Sequence, residues 1–290
     1  RSTLSSSSAA SDVYKRQIRN CLAALSTEEP LLTRLFQYRF TAGSGLEGHS
    51  FGNLFLSALT AITGNLETAI TASSRVLAVQ GQVVPATNVD VRLWAELENG
   101  ERIEGESNIG HAPSPIVRLG CQPERPPALP RALEAIASAD LILLGPGSLY
   151  TSLLPNLLVP ELVNSIGRSR APRLYICNLM TQPGETDGLD VRGHLRAIEA
   201  QLASLGINQR LFTAVLAQDD LGASPLVEHY RSRGAEPVAC DADDLRRDGY
   251  DVTQAPLQGA RPTATLRHDS RSLALAVMRF YRSHRRDKDQ

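Results

Sequence analysis

Lysine is almost missing from this 290-residue chain: Lys15 and Lys288 are the only two, and arginine supplies the other cations. A planar guanidinium suits bidentate contact with phosphate or carboxylate, although a bias in genomic base composition accounts for the same pattern more simply. An excess of either charge is missing too. The formal net charge is -1, which removes the basic balance expected of a nucleic-acid-binding protein. Cysteine is sparse and scattered. Cys21, Cys121, Cys177 and Cys240 form no C-x-x-C pair, so zinc-ribbon and thioredoxin-like readings fail. Cys177 ends an apolar run, as a buried structural thiol would, and reduced thiols fit a reducing compartment. No apolar stretch approaches the ~18 residues of a membrane span, and no apolar core of a signal peptide shows near the start. A cytoplasmic location is the expectation. Several catalytic signatures are also missing: G-x-S-x-G, H-E-x-x-H, G-x-x-x-x-G-K-[ST] and a dinucleotide G-x-G-x-x-G after a strand.

The hydrophobic fraction is 42%, which can supply the core of one large α/β domain. Residues 1–17, RSTLSSSSAASDVYKRQ, are serine-rich and have no hydrophobic period. They read as a non-native or disordered tail and are set aside from the fold. Residues 18–284 read as a single α/β domain and residues 285–290 as a second disordered tail. Helices are expected over 18–38, in two pieces broken at Pro30, and over 51–70, the latter too apolar to sit on a surface. A short strand pair is expected over 75–84. Alternating runs flank Asn99-Gly100, the strongest short-range hairpin signal. The stretch of about 75–122 is thus an antiparallel β insertion or an extension of the main sheet. From 130 onward strands and helices alternate: strands at 140–144, 173–178, 211–216 and 237–240, and helices at 130–138, 160–168, 190–205, 224–233 and 270–284. That alternation predicts a parallel sheet covered on both faces, a three-layer Rossmann-like arrangement.

Four segments could carry chemistry. Leu143-Leu144 runs into Gly145-Pro146-Gly147-Ser148 at the carboxyl edge of the expected sheet, where open α/β sheets bind ligands. Glycine lets backbone N–H groups approach a phosphate, with Ser148 and Thr151 adding hydroxyls; a tight turn without a ligand explains the motif equally well. The loop Asn178 to Gly188 includes Thr181, Gln182, Gly184, Glu185 and Thr186, and can read the polar edge of a base or sugar. Its carboxylates Glu185 and Asp187 could instead cap the helix starting near Asp190. The glycine-rich stretch from Gly43, with His49, Ser50 and Asn53, opens the helix at Phe51 and suits an anion, or a simple cap. Last, Arg267 precedes Asp269 and Ser270 at the head of the final helix, where it could clamp a diphosphate or stand in solvent. Tyr230 could stack on a base or pack in the core. No nucleophile stands beside a general base.

Together, IRNCLAALS, LFQYRF, EGHSFGNLFLSALTAITG, GESNI, LLGPGSLYTSLLPNLLVPEL, CNLMTQPGETDG and LRHD resemble the YvcK/CofD-like proteins. The resemblance runs from Ile18 to about His284. It is strongest to the gluconeogenesis factors, which resemble 2-phospho-L-lactate transferases in fold. It implies a Rossmann-like fold binding a UDP-sugar such as UDP-N-acetylglucosamine, with no cofactor or metal required. It also implies a bacterial role in carbon metabolism, cell shape and envelope synthesis. Tyr230 and Arg267 match the family's nucleotide-sugar residues. His49, Asn53, Gly145, Gly147, Ser148, Asn178, Thr181, Gln182, Gly184, Glu185 and Thr186 complete the expected ligand set. Ser270 stands where some members carry a phosphorylated threonine. One departure is large: the family's opening strand, its G-G-G-T-G loop and its D-D-G-G-S segment have no counterpart, and Gln17 stands where an aspartate precedes I-R-N. The first β-loop-α unit is therefore expected to be missing. A regulatory protein partner and a homo-oligomer remain open. The rival reading is a phospholactyl-type transferase using a nucleotide-diphosphate donor and a deazaflavin acceptor.

Overall fold

The computed structural model describes residues 18–19, 21–23, 25, 30–42, 46–222, 224–258 and 265–286. The expectations for residues 1–17, for Gly43–Gly45 and for the last four residues fall outside them. The chain divides into two compact units, residues 1–90 with 127–132, and residues 91–126 with 133–290.

The first unit is helical. Helices α1 (Pro30–Gln37), α2 (Phe51–Thr63) and α3 (Leu66–Val76) join Ile18 and Leu22 in a core of Ile18, Leu22, Phe36, Leu56, Ile70 and Leu77. The expected helix over 51–70 is two helices. Gly64 ends α2 in the left-handed region (φ 85°), and Asn65 starts α3 by accepting from the Thr68 N–H at 2.8 Å. Nor is α2 enclosed: Gly52 and Leu56 are its buried residues, and Ile62 is 79% exposed. The strand pair expected over 75–84 is also absent. Ala69, Ile70, Ser73 and Leu77 are buried at helical spacing. Their helix runs to Val76 and closes in turns from Leu77 to Ser73 and from Val79 to Ser74.

The second unit holds two sheets. Strands β1 (Arg92–Leu97), β2 (Arg102–Glu104) and β3 (Ile116–Gln122) form an antiparallel sheet in the order β2-β1-β3. Asn99-Gly100 makes the β1–β2 hairpin as expected, with Gly100 at φ 81° and the Asn99 side chain accepting from the Glu101 N–H. On β1, Trp94 lies opposite Gly120 between the guanidiniums of Arg102 and Arg118, 4.0 and 5.0 Å from the ring centroid. A Cβ on Gly120 would come within 2.1 Å of the indole, so glycine is required there. A single helical turn, α4 (Glu106–Ile109), connects β2 to β3.

Helix α5 (Pro130–Ala137) leads into β4 (Ile142–Leu144), and then β5 (Arg173–Ile176), β6 (Ala214–Gln218) and β7 (Asp251–Ala255) follow. These four pair in parallel in the order β4-β5-β6-β7, separate from the antiparallel sheet. The connections carry a π-helical turn (Leu149–Leu153) running into α6 (Leu154–Leu157), then α7 (Pro160–Arg168), α8 (Val191–Ser204), α9 (Pro225–Arg231) and α10 (Ala242–Arg247); α11 (Ser270–Arg286) follows β7. Strand alternation splits the core in two. Tyr175, Cys177, Val215 and Ala217 join α8 residues Leu195, Ile198 and Leu202 on one face. Leu174, Ile176, Ala214 and Leu216 join α11 residues Ala276, Val277 and Phe280 on the other. The sheet is covered on both faces, as the alternating pattern implied.

One strand expected in this unit does not form. Pro237–Cys240 contributes one isolated bridge, Met180 to Pro237. The fourth strand is β7 instead, whose sequence DVTQA carries no apolar run and forms by pairing with β6 over five residues. Helix α10, between them, was also not expected.

Candidate functional site

The Gly145–Ser148 and Asn178–Thr186 loops leave the carboxyl ends of neighbouring strands β4 and β5, and they clasp each other. Gly145 adopts φ 93°, and a Cβ there would lie 2.7 Å from the Ile176 carbonyl oxygen, so only glycine lets β4 turn this close to β5. The Asn178 amide brackets Gly147, accepting from its N–H at 3.3 Å and donating to its carbonyl at 2.9 Å. Gln182 donates through Nε2 to Ser148 Oγ at 2.8 Å. Glu185 reaches back under the helix that follows: Oε1 accepts from the N–H groups of Tyr150 (2.7 Å) and Thr151 (2.9 Å) and from the Thr151 hydroxyl (3.3 Å).

This corrects the capping alternative. Glu185 caps the helical segment starting at Leu149, not the helix at 191, which Asp190 caps through the Gly193 N–H. Asp187 holds the Gly184 N–H. Burial pushes the Glu185 carboxyl above its usual range, against the opposing pull of its three donors.

Other expected residues shape the loop rather than line it. Thr186 Oγ1 accepts from the Gln182 N–H at 2.8 Å. Thr181 is tied to Glu236 in both directions, through its own N–H and through Oγ1. Gly184 sits at φ 80°, and its carbonyl accepts from the Ala112 N–H; a Cβ there would stand 3.0 Å from His111 Cα. Cys177 is fully buried and desolvation pushes its thiol up to about 12, the surroundings of a structural thiol.

The Arg267 segment reaches the same sheet edge. His268 Nε2 lies 3.1 Å from the Cys177 carbonyl oxygen at the end of β5, and the Asp269 N–H donates to Leu257. Asp269 caps α11, accepting from the Ser272 N–H at 2.8 Å. Those donors hold its carboxyl below the usual range. The Tyr230 hydroxyl accepts from the Leu266 N–H at 3.3 Å, one residue before Arg267. Arg267 itself is exposed and forms no ion pair among the described residues. Ser270 is exposed at the first position of α11. A residue not expected at all, Gln218 at the end of β6, organises this corner. Its Oε1 accepts from the N–H groups of Leu257 (2.8 Å) and Gln258 (3.0 Å).

His49 and Asn53 lie in the first unit. His49 is exposed in a turn whose carbonyl accepts from Phe40. Ser50 stands at the N-cap of α2 without capping it; its hydroxyl accepts from buried Arg19, which also donates to Asn53 Oδ1 at 3.5 Å. Arg19 went unnoticed in the sequence because a single arginine among apolar residues resembles any amphipathic helix.

A cavity of about 950 Å3 opens at the opposite end of the parallel sheet, among Glu134, Asp140, Glu161, Arg168, Arg170 and Arg285. Helices α5, α7 and α11 end there, and helix carboxyl ends are partially negative. The lining holds three arginines against three carboxylates, and Arg173 donates to the Ile166 carbonyl of α7. The balanced charge makes this cavity a poor match for a phosphate. Among the described residues no group of three or more His, Cys, Asp or Glu side chains is arranged to hold a metal, and no helix is long and apolar enough to cross a membrane.

Comparison with known proteins agrees with this architecture. The profile of one family, described as "2-phospho-L-lactate transferase CofD", matches residues 16–258. A "Putative gluconeogenesis factor" from Nostoc sp. is 52% identical over 264 residues, covering 91% of this chain and 57% of the relative, so the chain spans little more than half that protein's length. The "Gluconeogenesis factor" of Bacillus subtilis is 41% identical over 257 residues, covering 89% of this chain and 79% of the relative. A crystal structure of a UPF0052 family member from Bacillus halodurans superposes with a TM-score of 0.84 at 39% identity, covering 93% of this chain and 87% of that one.

Proposed function

The chain belongs to the CofD family and groups with its gluconeogenesis factors, and from that premise we propose that it binds a UDP-sugar of the UDP-N-acetylglucosamine type and acts as a regulator rather than a catalyst. The observation that carries the reading is the clasp between the two loops. Asn178 is bonded to Gly147, Gln182 to Ser148, and Glu185 to the backbone N–H groups of Tyr150 and Thr151. A rigid polar rim at strand carboxyl ends is where α/β sheets bind nucleotides. Arg267 and Tyr230, brought to the same edge, supply a guanidinium for a diphosphate and a half-buried aromatic ring beside it. The regulated processes are carbon metabolism, cell shape and envelope synthesis.

The family's description as 2-phospho-L-lactate transferase is compatible with a second reading, a transferase carrying a phospholactyl-type group from a nucleotide diphosphate to a deazaflavin. Both readings need the diphosphate, so the two are separated by turnover. Calorimetric titration with UDP-N-acetylglucosamine should show binding that weakens at least ~tenfold in Arg267→Ala, the loss of a charge-assisted contact of ~1.5 kcal/mol or more. Equal affinity in the variant removes Arg267 from the site. Transfer to a deazaflavin acceptor would replace the regulator with the enzyme.

A further inference from the structure

The loop Gly145–Ser148 resembles a phosphate cradle, but its donors are largely committed. Pro146 has no N–H. The Gly147 N–H donates to Asn178, and the N–H groups of Tyr150 and Thr151 donate to Glu185. Those of Ser152 and Leu153 donate to the Ser148 carbonyl. The place an anion would take at the start of the helix is therefore filled by a carboxylate of the chain itself, only 6% exposed. What the loop still offers is neutral: the N–H groups of Ser148 and Leu149, which donate to neither Asn178 nor Glu185, and the Ser148 hydroxyl. Ser148 Oγ accepts from Gln182 and keeps its own proton to donate.

We propose that Glu185 is the built-in counter-anion of this loop. The loop consequently receives the uncharged, hydroxyl- or amide-bearing part of the ligand, and the phosphates are met on the Arg267 side. This assignment rests on the nucleotide-sugar reading and divides its site in two. Glu185 is a positioning and specificity-determining residue. Its hydrogen bonds hold the backbone of Tyr150 and Thr151, and its charge repels a second anion from donors that would otherwise attract one.

The test uses the full chain and inorganic anions, so it does not depend on which nucleotide sugar binds. In Glu185→Gln the amide oxygen still accepts the two N–H groups and the charge is gone. Calorimetry with inorganic pyrophosphate should show affinity at least ~tenfold higher than wild type, while Glu185→Asp, which keeps the charge, shows no gain. In Glu185→Ala the carboxylate's place is empty. Sulfate should then raise the variant's Tm by several degrees more than it raises wild type's, because sulfate takes over the orphaned N–H groups. This second readout works even where the variants are destabilised. Unchanged or weaker pyrophosphate binding in Glu185→Gln, or equal sulfate shifts in Glu185→Ala and wild type, overturns the assignment. Failure of UDP-N-acetylglucosamine to bind wild type would instead refute the ligand reading, and leaves both anion readouts intact.

Discussion

Removing the Gln201 amide should unlock α8 from β3. Strand β3 is an edge of the antiparallel sheet, and its Leu119 backbone turns one N–H and one C=O away from β1. The Gln201 side chain satisfies both, accepting from the N–H at 2.9 Å and donating to the carbonyl at 2.9 Å, and it is only 3% exposed. The amide acts as a one-residue substitute strand. In Gln201→Met the side chain keeps its length and apolar stem but loses both groups, so two buried backbone atoms lose their partners. Each such loss costs ~1–3 kcal/mol, and the better burial of Met returns ~1 kcal/mol. The net expectation is a destabilisation of about 1–5 kcal/mol. The chain's only tryptophan, Trp94, lies on β1 opposite Gly120 of β3, so its fluorescence reports this sheet directly. Urea unfolding followed at Trp94 should show the shift, and Leu119 should become the first β3 amide to exchange. A loss below ~0.5 kcal/mol with unchanged exchange at Leu119 would refute the reasoning, because it would mean that water replaces the amide at no cost.

Stability should also fall in acid through His194. This ring is fully buried, its Nδ1 bonded to the Asp190 carbonyl at 2.8 Å and its Nε2 without a partner. Nδ1 therefore carries the proton, and burial lowers the pKa from 6.5. A lowered folded pKa contributes stability above 6.5 that is lost as pH falls through the folded value. The urea midpoint should drop between pH 7 and 5, less steeply in His194→Leu; His268, shifted down by burial as well, adds to the slope that remains. Gly145→Ala and Gly100→Ala form a matched pair. Both have positive φ, but only the Gly145 Cβ would meet an atom, the Ile176 oxygen. Gly100→Ala should cost ~1 kcal/mol and Gly145→Ala at least ~2 kcal/mol more in thermal or urea unfolding; equal losses would show that the loop relaxes.

Features written in neighbouring residues were legible from the sequence. Asn99-Gly100 between alternating runs marked its hairpin, and the apolar runs ending at Leu144 and Ile176 marked two parallel strands and the loops beyond them. The polar density of Asn178 to Thr186 marked a loop, which the structure bonds to the Gly145–Ser148 loop. What escaped depends on distant partners. Glu185 caps a helical segment 35 residues earlier in the chain, and no local spacing announces that. Gln201 and Gln218 resemble any surface glutamine until the backbone groups they satisfy are known. The 75–84 segment misled because Val76, Val79 and Val83 invite a strand, whereas the burial of Ala69, Ile70, Ser73 and Leu77 keeps the helical period.

In the parallel sheet the order of strands in space is their order along the chain. Each of β5, β6 and β7 thus pairs with the strand before it in the chain, and none of these four has to thread between two earlier ones. Closure of each crossover spans only one connection, and the entropy of closing such loops rises slowly with their length. β7 is the strand with the weakest inclination of its own, DVTQA, and it is the last of the four to appear. In the folded chain all five residues of β6 are buried, and they pair in register with β7 from Ala214 to Gln218. The polar strand needs no instruction in its own residues because it is copied, hydrogen bond by hydrogen bond, from a template that synthesis delivers first.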